Sequence, residues 1–446
     1  MKKTFLLASL CLLCLVKVFA TNVSGYFNTN ITWTKANNPY IITGDILIDT
    51  PATLTIEPGV TVIASDNYTI YIDGKINAIG TSSDSITFTC SKIPTSKYHT
   101  TWKGIEIRHR SFNDTMEFKF CHFEYATYTI YSAYNPVKIS NCMFHYNGTV
   151  FQSLGYAESY VEMSHCAFID DGYATNVGKY ALFADNEIRN CDYGFRGWGG
   201  IIAHNLYLDC GYGIYLLDSA SVYDNIVAKA GVCGILCNGG TINDNQVWYC
   251  KVGINYEAGN VVHNGLKYND IGIQPALYSR IGYVRNNCIE NSKLYNFQSS
   301  KMDFDISGNY WGTTDSLTIA SSIQDFYHNF NLGKVTFWPV LQSADSGCAD
   351  TVNIPGYGNP TSVVNVNKTA DLKVYPNPVS GSVTIQATGD KMNTVVVYNL
   401  VGTEVFKGSI NGSSMVIDMS SFSKGMYLYK VQMNDNSTVT GKLLKE

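Results

Sequence analysis

Asparagine recurs at Asn186, Asn205, Asn225, Asn245 and Asn264, in steps of 19, 20, 20 and 19 residues. Glycine keeps the same beat at Gly194, Gly213, Gly234, Gly253 and Gly272, and the register extends less regularly through Asn141, His165, Asn287 and Asn309. A fixed period near twenty constrains the fold more than any local motif. Helical repeats need two helices per unit and roughly thirty or more residues, and the dense Leu pattern of leucine-rich repeats is missing. Three short strands and three turns fit the space, with each coil stacked on the next at about 4.8 Å. The period predicts a β-solenoid in which the repeated Gly marks a corner.

The residue types suit that reading. An Asn side chain can bond the backbone of neighbouring coils, tolerates left-handed φ, and stacks into a ladder of amides when placed once per coil. Asn186, Asn205, Asn225, Asn245 and Asn264 are expected to form such an inward ladder. Cys191, Cys210 and Cys250 each stand three residues before a marker Gly, while Cys142, Cys166 and Cys288 each follow a marker Asn or His. Fixed columns of this kind suit small apolar thiols stacked inside the coils rather than disulfides. Cys233-x-x-x-Cys237 has no second pair of metal-site type, which argues against zinc. Only 15% of residues are charged, and Gly, Asn, Tyr and Thr are plentiful, so strands and turns are favoured over helices.

The first twenty residues, MKKTFLLASLCLLCLVKVFA, carry Lys2 and Lys3 ahead of a short apolar run and end in Val-Phe-Ala. They read as a secretory signal, residues 1–20. Its removal takes away three Lys and leaves 28 bases against 36 acids, moving the formal charge from -5 to -8. An acidic surface argues against nucleic acid or anionic lipid as partner. No later stretch is apolar enough for a transmembrane segment in the mature chain.

YIITGDILIDTPATLTIEPGVTVI, then IYIDGKINAIGTSSDSITFT and WKGIEI, resemble the first coils of right-handed parallel β-helix proteins of the pectate-lyase kind. NYWGTT (Asn309 to Thr314) and FWPVL (Phe337 to Leu341) resemble the segment that closes many such helices. The resemblance implies an all-β chain with a right-handed parallel β-helix over residues 21–342. About fourteen coils would make a rod about 65 Å long.

Residues 343–370 lose the pattern and read as a linker rich in Gly, Pro, Ser and Asn, in which Cys348 is expected to be free. Residues 371–446 alternate as short strands and suit a small C-terminal β-sandwich. Tyr375-Pro376-Asn377-Pro378, the Val397 to Gly402 run, Ile417-Asp418-Met419-Ser420, Gly425-x-Tyr427 and the final Lys-Leu-Leu-Lys-Glu resemble, together and in order, a class A type IX secretion sorting domain. That resemblance implies the type IX translocon as partner, and a secreted or cell-surface protein of a Gram-negative bacterium.

Parallel β-helices of the resembled family include lyases, polygalacturonases and adhesins, so fold alone does not fix the chemistry. The polygalacturonase motifs Gly-His-Gly and Arg-x-Lys occur nowhere, and Asp170-Asp171-Gly172 reads as a loop. Lyases of the family often hold Ca²⁺ between acids on neighbouring coils. Asp185, His204, Asp224, Asp244 and His263 stand one before each ladder Asn, and the column is either a metal stripe, with Ca²⁺ as its cofactor, or a solvated row at a corner. Tyr193 and Tyr212 share a column and are expected to stack between coils. Arg196 and Trp198, in FRGWGG, break the pattern of the neighbouring coils and are the candidates to hold a polysaccharide, Trp by stacking and Arg by pairing with uronate carboxylates. The missing catalytic motifs favour a non-catalytic polysaccharide-binding or adhesive rod. A polysaccharide lyase or hydrolase and a structural surface-layer component are the alternatives.

Overall fold

The computed structural model describes residues 20–94, 101–108, 115–153, 160–276, 282–344, 371–388, 391–399, 404–434 and 438–446. Residues 1–19 of the expected signal, most of the expected linker with Cys348, and Gly402 of the sorting motif lie outside the described residues. The chain divides into two compact units, residues 1–352 and 353–446.

The first unit is a parallel β-solenoid of about 12 turns. Each strand bonds the strand one coil later: Glu187–Arg189 pairs with Leu206–Leu208, which pairs with Ile226–Ala228, all in parallel. Division of the chain by its period gave more coils, because the early ones are longer. Tyr71 and Glu106, for instance, are direct register partners one coil apart. Alternation puts Ile46, Ile48, Ile70, Ile72, Ile105 and Ile107 inside. A second internal column stacks Phe88 on Phe123, Phe123 on Phe144 and Phe144 on Phe168, at 4.6, 5.3 and 5.0 Å between ring centroids.

Two corners per coil are built alike. At the first, a residue with left-handed φ turns the chain and the next residue points inward. Asn141, His165, Asp185, His204, Asp224, Asp244 and His263 are the turning residues, with φ of 54 to 58°. Asn, Asp and His are the side chains that tolerate this region best. The inward residues after them are Cys142, Cys166, Asn186, Asn205, Asn225, Asn245 and Asn264. Asn141 and His165 therefore belong to the turning column, one residue away from the ladder register expected of them, and cysteines hold the ladder positions there. From Asn186 to Asn309 each amide Nδ2 donates to the Oδ1 of the next coil's Asn at 2.9 to 3.0 Å. Where cysteine stands instead, Cys121 N–H reaches the Sγ of Cys142 at 3.4 Å, a weaker acceptor.

The second corner repeats the device with Asn147, Asp171, Cys191, Cys210, Cys250 and Asn269 inside. Asn147 donates from its backbone N–H and from Nδ2 to Oδ1 of Asp171, at 2.7 and 3.0 Å. Asp171 stands in the turn between Ile169 and Tyr173, as expected, but it is fully buried and serves as a ladder member. Burial pushes its carboxyl up from 3.8 to about 8, so it carries a proton at neutral pH and offers one acceptor and one donor, as an amide does.

The marker glycines sit inside strands rather than at a corner. A Cβ on Gly213 would lie 2.6 Å from the carbonyl oxygen of Gly234 on the next coil, so close approach of backbones, not an unusual φ, demands glycine. Nine described cysteines are buried and carry no disulfide, six of them, Cys121, Cys142, Cys166, Cys191, Cys210 and Cys250, at these corners. Cys288 departs from the expectation, since it takes part in a disulfide.

In the second unit, strands Asp371–Tyr375, Ser382–Thr388 and Ser414–Asp418 form one antiparallel sheet. Met392–Asn399, Glu404–Gly412, Gly425–Met433 and Thr438–Lys445 form another. Val383, Ile385 and Ile417 of the first share one apolar core with Val395, Val397, Val431 and Leu443 of the second.

Candidate functional site

One side of the solenoid carries a continuous polar face. It is made by Thr149–Gln152, Tyr173–Asn176, Tyr193–Gly197 and the first part of Tyr212–Tyr223, stacked in parallel register. Outward positions recur at coil spacing, so like side chains meet. The rings of Tyr173 and Tyr193 are 4.7 Å apart and those of Tyr193 and Tyr212 4.9 Å apart, nearly parallel. Tyr215 stands edge-on against Tyr193 and Tyr212. The central ring of this stack has both faces covered by its neighbours and can meet a ligand only with its edge and hydroxyl. Burial raises the pKa of the Tyr193 and Tyr212 phenols, which therefore stay protonated hydrogen-bond donors.

Beside the rings runs a second row. Gln152 accepts from Nδ2 of Asn176 at 2.7 Å, and Asn176 Oδ1 accepts from Nη1 of Arg196 at 2.6 Å. The Arg196 guanidinium lies 5.9 Å from the centre of the Tyr215 ring. None of its partners among the described residues is a carboxylate. Trp198, two residues on, is half-buried at the end of the same run of outward positions. Gln152, Asn176 and Tyr215 escaped the sequence reasoning, although their spacing repeats the coil length. A period says which residues share a column but not which columns share a face.

The column His204, Asp224, Asp244 and His263 is present, and its role is legible in the backbone: all four are turning residues of left-handed φ. His204 Nδ1 approaches Asp224 Oδ2 at 3.9 Å, and Asp244 accepts from its neighbour Asn243. Among the described residues no three His, Cys, Asp or Glu side chains converge where an ion could be held.

In the C-terminal unit Tyr375 closes its strand and donates to Gln386 at 2.9 Å, while Asn377, between Pro376 and Pro378, accepts from the Leu444 N–H. Tyr427 donates to the carbonyl of Ser423, and Gly425 opens the strand with φ of 148°.

Residues 373–446 match the family model of the secretion system C-terminal sorting domain. The chain carries a type IX sorting domain. It is accordingly a protein destined for export, secreted or held at the cell surface. Residues 25–118 match a pectate-lyase-like β-helix domain, and residues 134–325 match the family described as periplasmic copper-binding protein (NosD). Among the described residues no three ligand side chains stand where copper could be held, and burial pushes the thiols of Cys142, Cys166, Cys233 and Cys250 up, holding them protonated. No helix among the described residues is long and apolar enough to cross a membrane.

Among curated proteins, an ulvan lyase of Nonlabens ulvanivorans is 36% identical over 85 residues, covering 19% of this chain and 16% of that protein. An endo-acting ulvan lyase of Formosa agariphila is 33% identical over 76 residues, 17% of this chain and 15% of its own length. The chain thus spans only a small part of these relatives. Two mutant forms of a periplasmic alginate epimerase superpose with TM-scores of 0.34 and 0.31 at 13% identity, over 68% of this chain and 76 and 77% of theirs. Neither likeness carries a residue across to this site.

Proposed function

We propose that the solenoid is an exported rod that binds an acidic polysaccharide along the Tyr173–Tyr215 face and holds it without cleaving it. One observation carries this reading. Arg196 is a guanidinium with no acid beside it, on a chain of net negative charge, set among phenols and amides at coil spacing. A fixed, uncompensated fork of donors is suited to a carboxylate or a similar oxyanion. The surrounding hydroxyl and amide groups can exchange hydrogen bonds with sugar hydroxyls, one set per coil. A polymer laid along the axis would meet such a set at each step of about 4.8 Å.

Retention without turnover is supported by the same positions. Thr149, Gln152, Tyr173, Asn176, Tyr193, Arg196, Tyr212 and Tyr215 include no carboxylate or imidazole to take a proton, and burial raises the pKa of the Tyr193 and Tyr212 phenols, away from acting as bases. The curated relatives named as ulvan lyases keep the enzyme alternative in view, so the test must read both outcomes. The full exported chain is run in affinity gels cast with a polyuronate, and the same mixtures are followed for the ultraviolet absorbance of unsaturated uronate. Retardation without new absorbance supports the binding rod. Rising absorbance makes the protein a lyase, and neither signal removes polyuronate as the ligand.

A further inference from the structure

Three coils before Arg196, on the same face, the register slips. Tyr128 pairs with Gly104 and Ile130 with Ile105, leaving Thr129 as an extra residue between them. Gly104 has φ of 112°, and a Cβ there would fall 1.7 Å from the carbonyl oxygen of Tyr128. Only glycine allows the two backbones to meet in this way. Around the bulge lies a cavity of about 450 Å³, whose walls include Asn67, Thr69, Lys103, Glu106, Tyr128 and Tyr131. That volume is in the range of small-molecule sites.

Thr69 is 3% exposed and its Oγ1 is closed off by its neighbours, so it shapes the wall without reaching into the cavity. Lys103 and Glu106 share the strand Trp102–Ile107 and both line the cavity, and neither forms an ion pair with the other or with any other described residue. Tyr128, 47% exposed, and Tyr131 supply rings at the wall.

We propose that this cavity binds a single carboxylate-bearing sugar unit, the end of the chain held further along by Arg196. The Lys103 ammonium takes the carboxylate, while Glu106 and Asn67 accept from ring hydroxyls. The tyrosine rings cover the apolar face of the pyranose. The combination of one cation, two hydroxyl acceptors and flanking rings fits a uronic acid better than a neutral hexose, which would leave Lys103 unpaired. It also fits a uronic acid better than a free amino acid, whose small body would leave the rings uncovered.

The inference rests on the reading of the face as a polysaccharide site but is tested apart from it, with a monomer too small to need the Arg196 row. Calorimetry on the full chain with a free uronic acid, its neutral hexose counterpart and a free amino acid decides the matter. The expected result is binding of the uronic acid alone, weakened about tenfold or more by Lys103→Met, with an unchanged melting midpoint. No heat with the uronic acid, binding indifferent to this substitution, or preference for the hexose or the amino acid overturns it. If the monomer fails while polyuronate is retained, the cavity assignment falls and the proposed function stands. If the monomer binds while polyuronate is not retained, the reverse holds.

Discussion

Asn225 donates from Nδ2 to the Oδ1 of Asn245 at 2.9 Å, and its backbone N–H reaches the same oxygen at 3.0 Å. One side-chain oxygen thus satisfies two donors of the coil before it, while Nδ2 also serves the carbonyls of Ile202 and Tyr223. A tight buried corner cannot pair these groups with water, so each coil obliges the next to carry the same side chain.

The Asn225→Ala variant is expected to lose about 1–3 kcal/mol, because Asn205 loses its acceptor inside the core. Asn225→Cys should lose less, since cysteine already fills equivalent positions at Cys142 and Cys166. Denaturant midpoints of the three proteins check the order, and equal losses for Ala and Cys would remove the thiol's part as an acceptor.

Gly213→Ala is expected to cost about 1–3 kcal/mol through overpacking, with the added methyl pressed between the Gly234 carbonyl and Val227. Thermal melting reads the loss. An unchanged midpoint would mean that the coils can part locally to admit the methyl.

Asp171 ties stability to pH. Its native pKa, about 8, lies above the ordinary 3.8, so the folded chain keeps a proton that the unfolded chain releases between those values. This carboxyl therefore lowers stability as pH rises from about 4 to about 8, and adds no further slope above. Asp171→Asn keeps one acceptor and one donor without a charge to bury. Its stability should exceed that of the wild type increasingly across the same window, as unfolding midpoints measured at several pH values will show. A difference that does not grow with pH would mean that Asp171 is not held protonated.

The solenoid was legible in the sequence because its hydrogen-bonding solution repeats one residue type at one interval, and Asn186 to Asn264 spell it out. The misplacement of Asn141 and His165 has a physical source: the turning position and the ladder position both favour Asn, so the two columns look alike until cysteine replaces one of them. The turn at Asp171 was legible but its burial was not, because a charged carboxylate belongs outside and only its environment shows that it is uncharged. Arg196 stood out by breaking its column, but its partners Asn176 and Tyr215 come from other coils, and period alone does not give their facing. The cavity at Lys103 depends on one slipped residue in a long coil, to which no interval in the sequence corresponds.

If Arg196 meets the acid groups of a polysaccharide, loss of the guanidinium and loss of those groups cannot act independently, and a four-way comparison reads this. Retention of wild type and Arg196→Gln is measured with a polyuronate and with the same polymer after its carboxyls are reduced to alcohols. Either change alone should weaken binding about tenfold or more, and the two together should cost little beyond one, because they remove the same interaction. Losses that simply add, or an Arg196→Gln protein retained like the wild type, would contradict it.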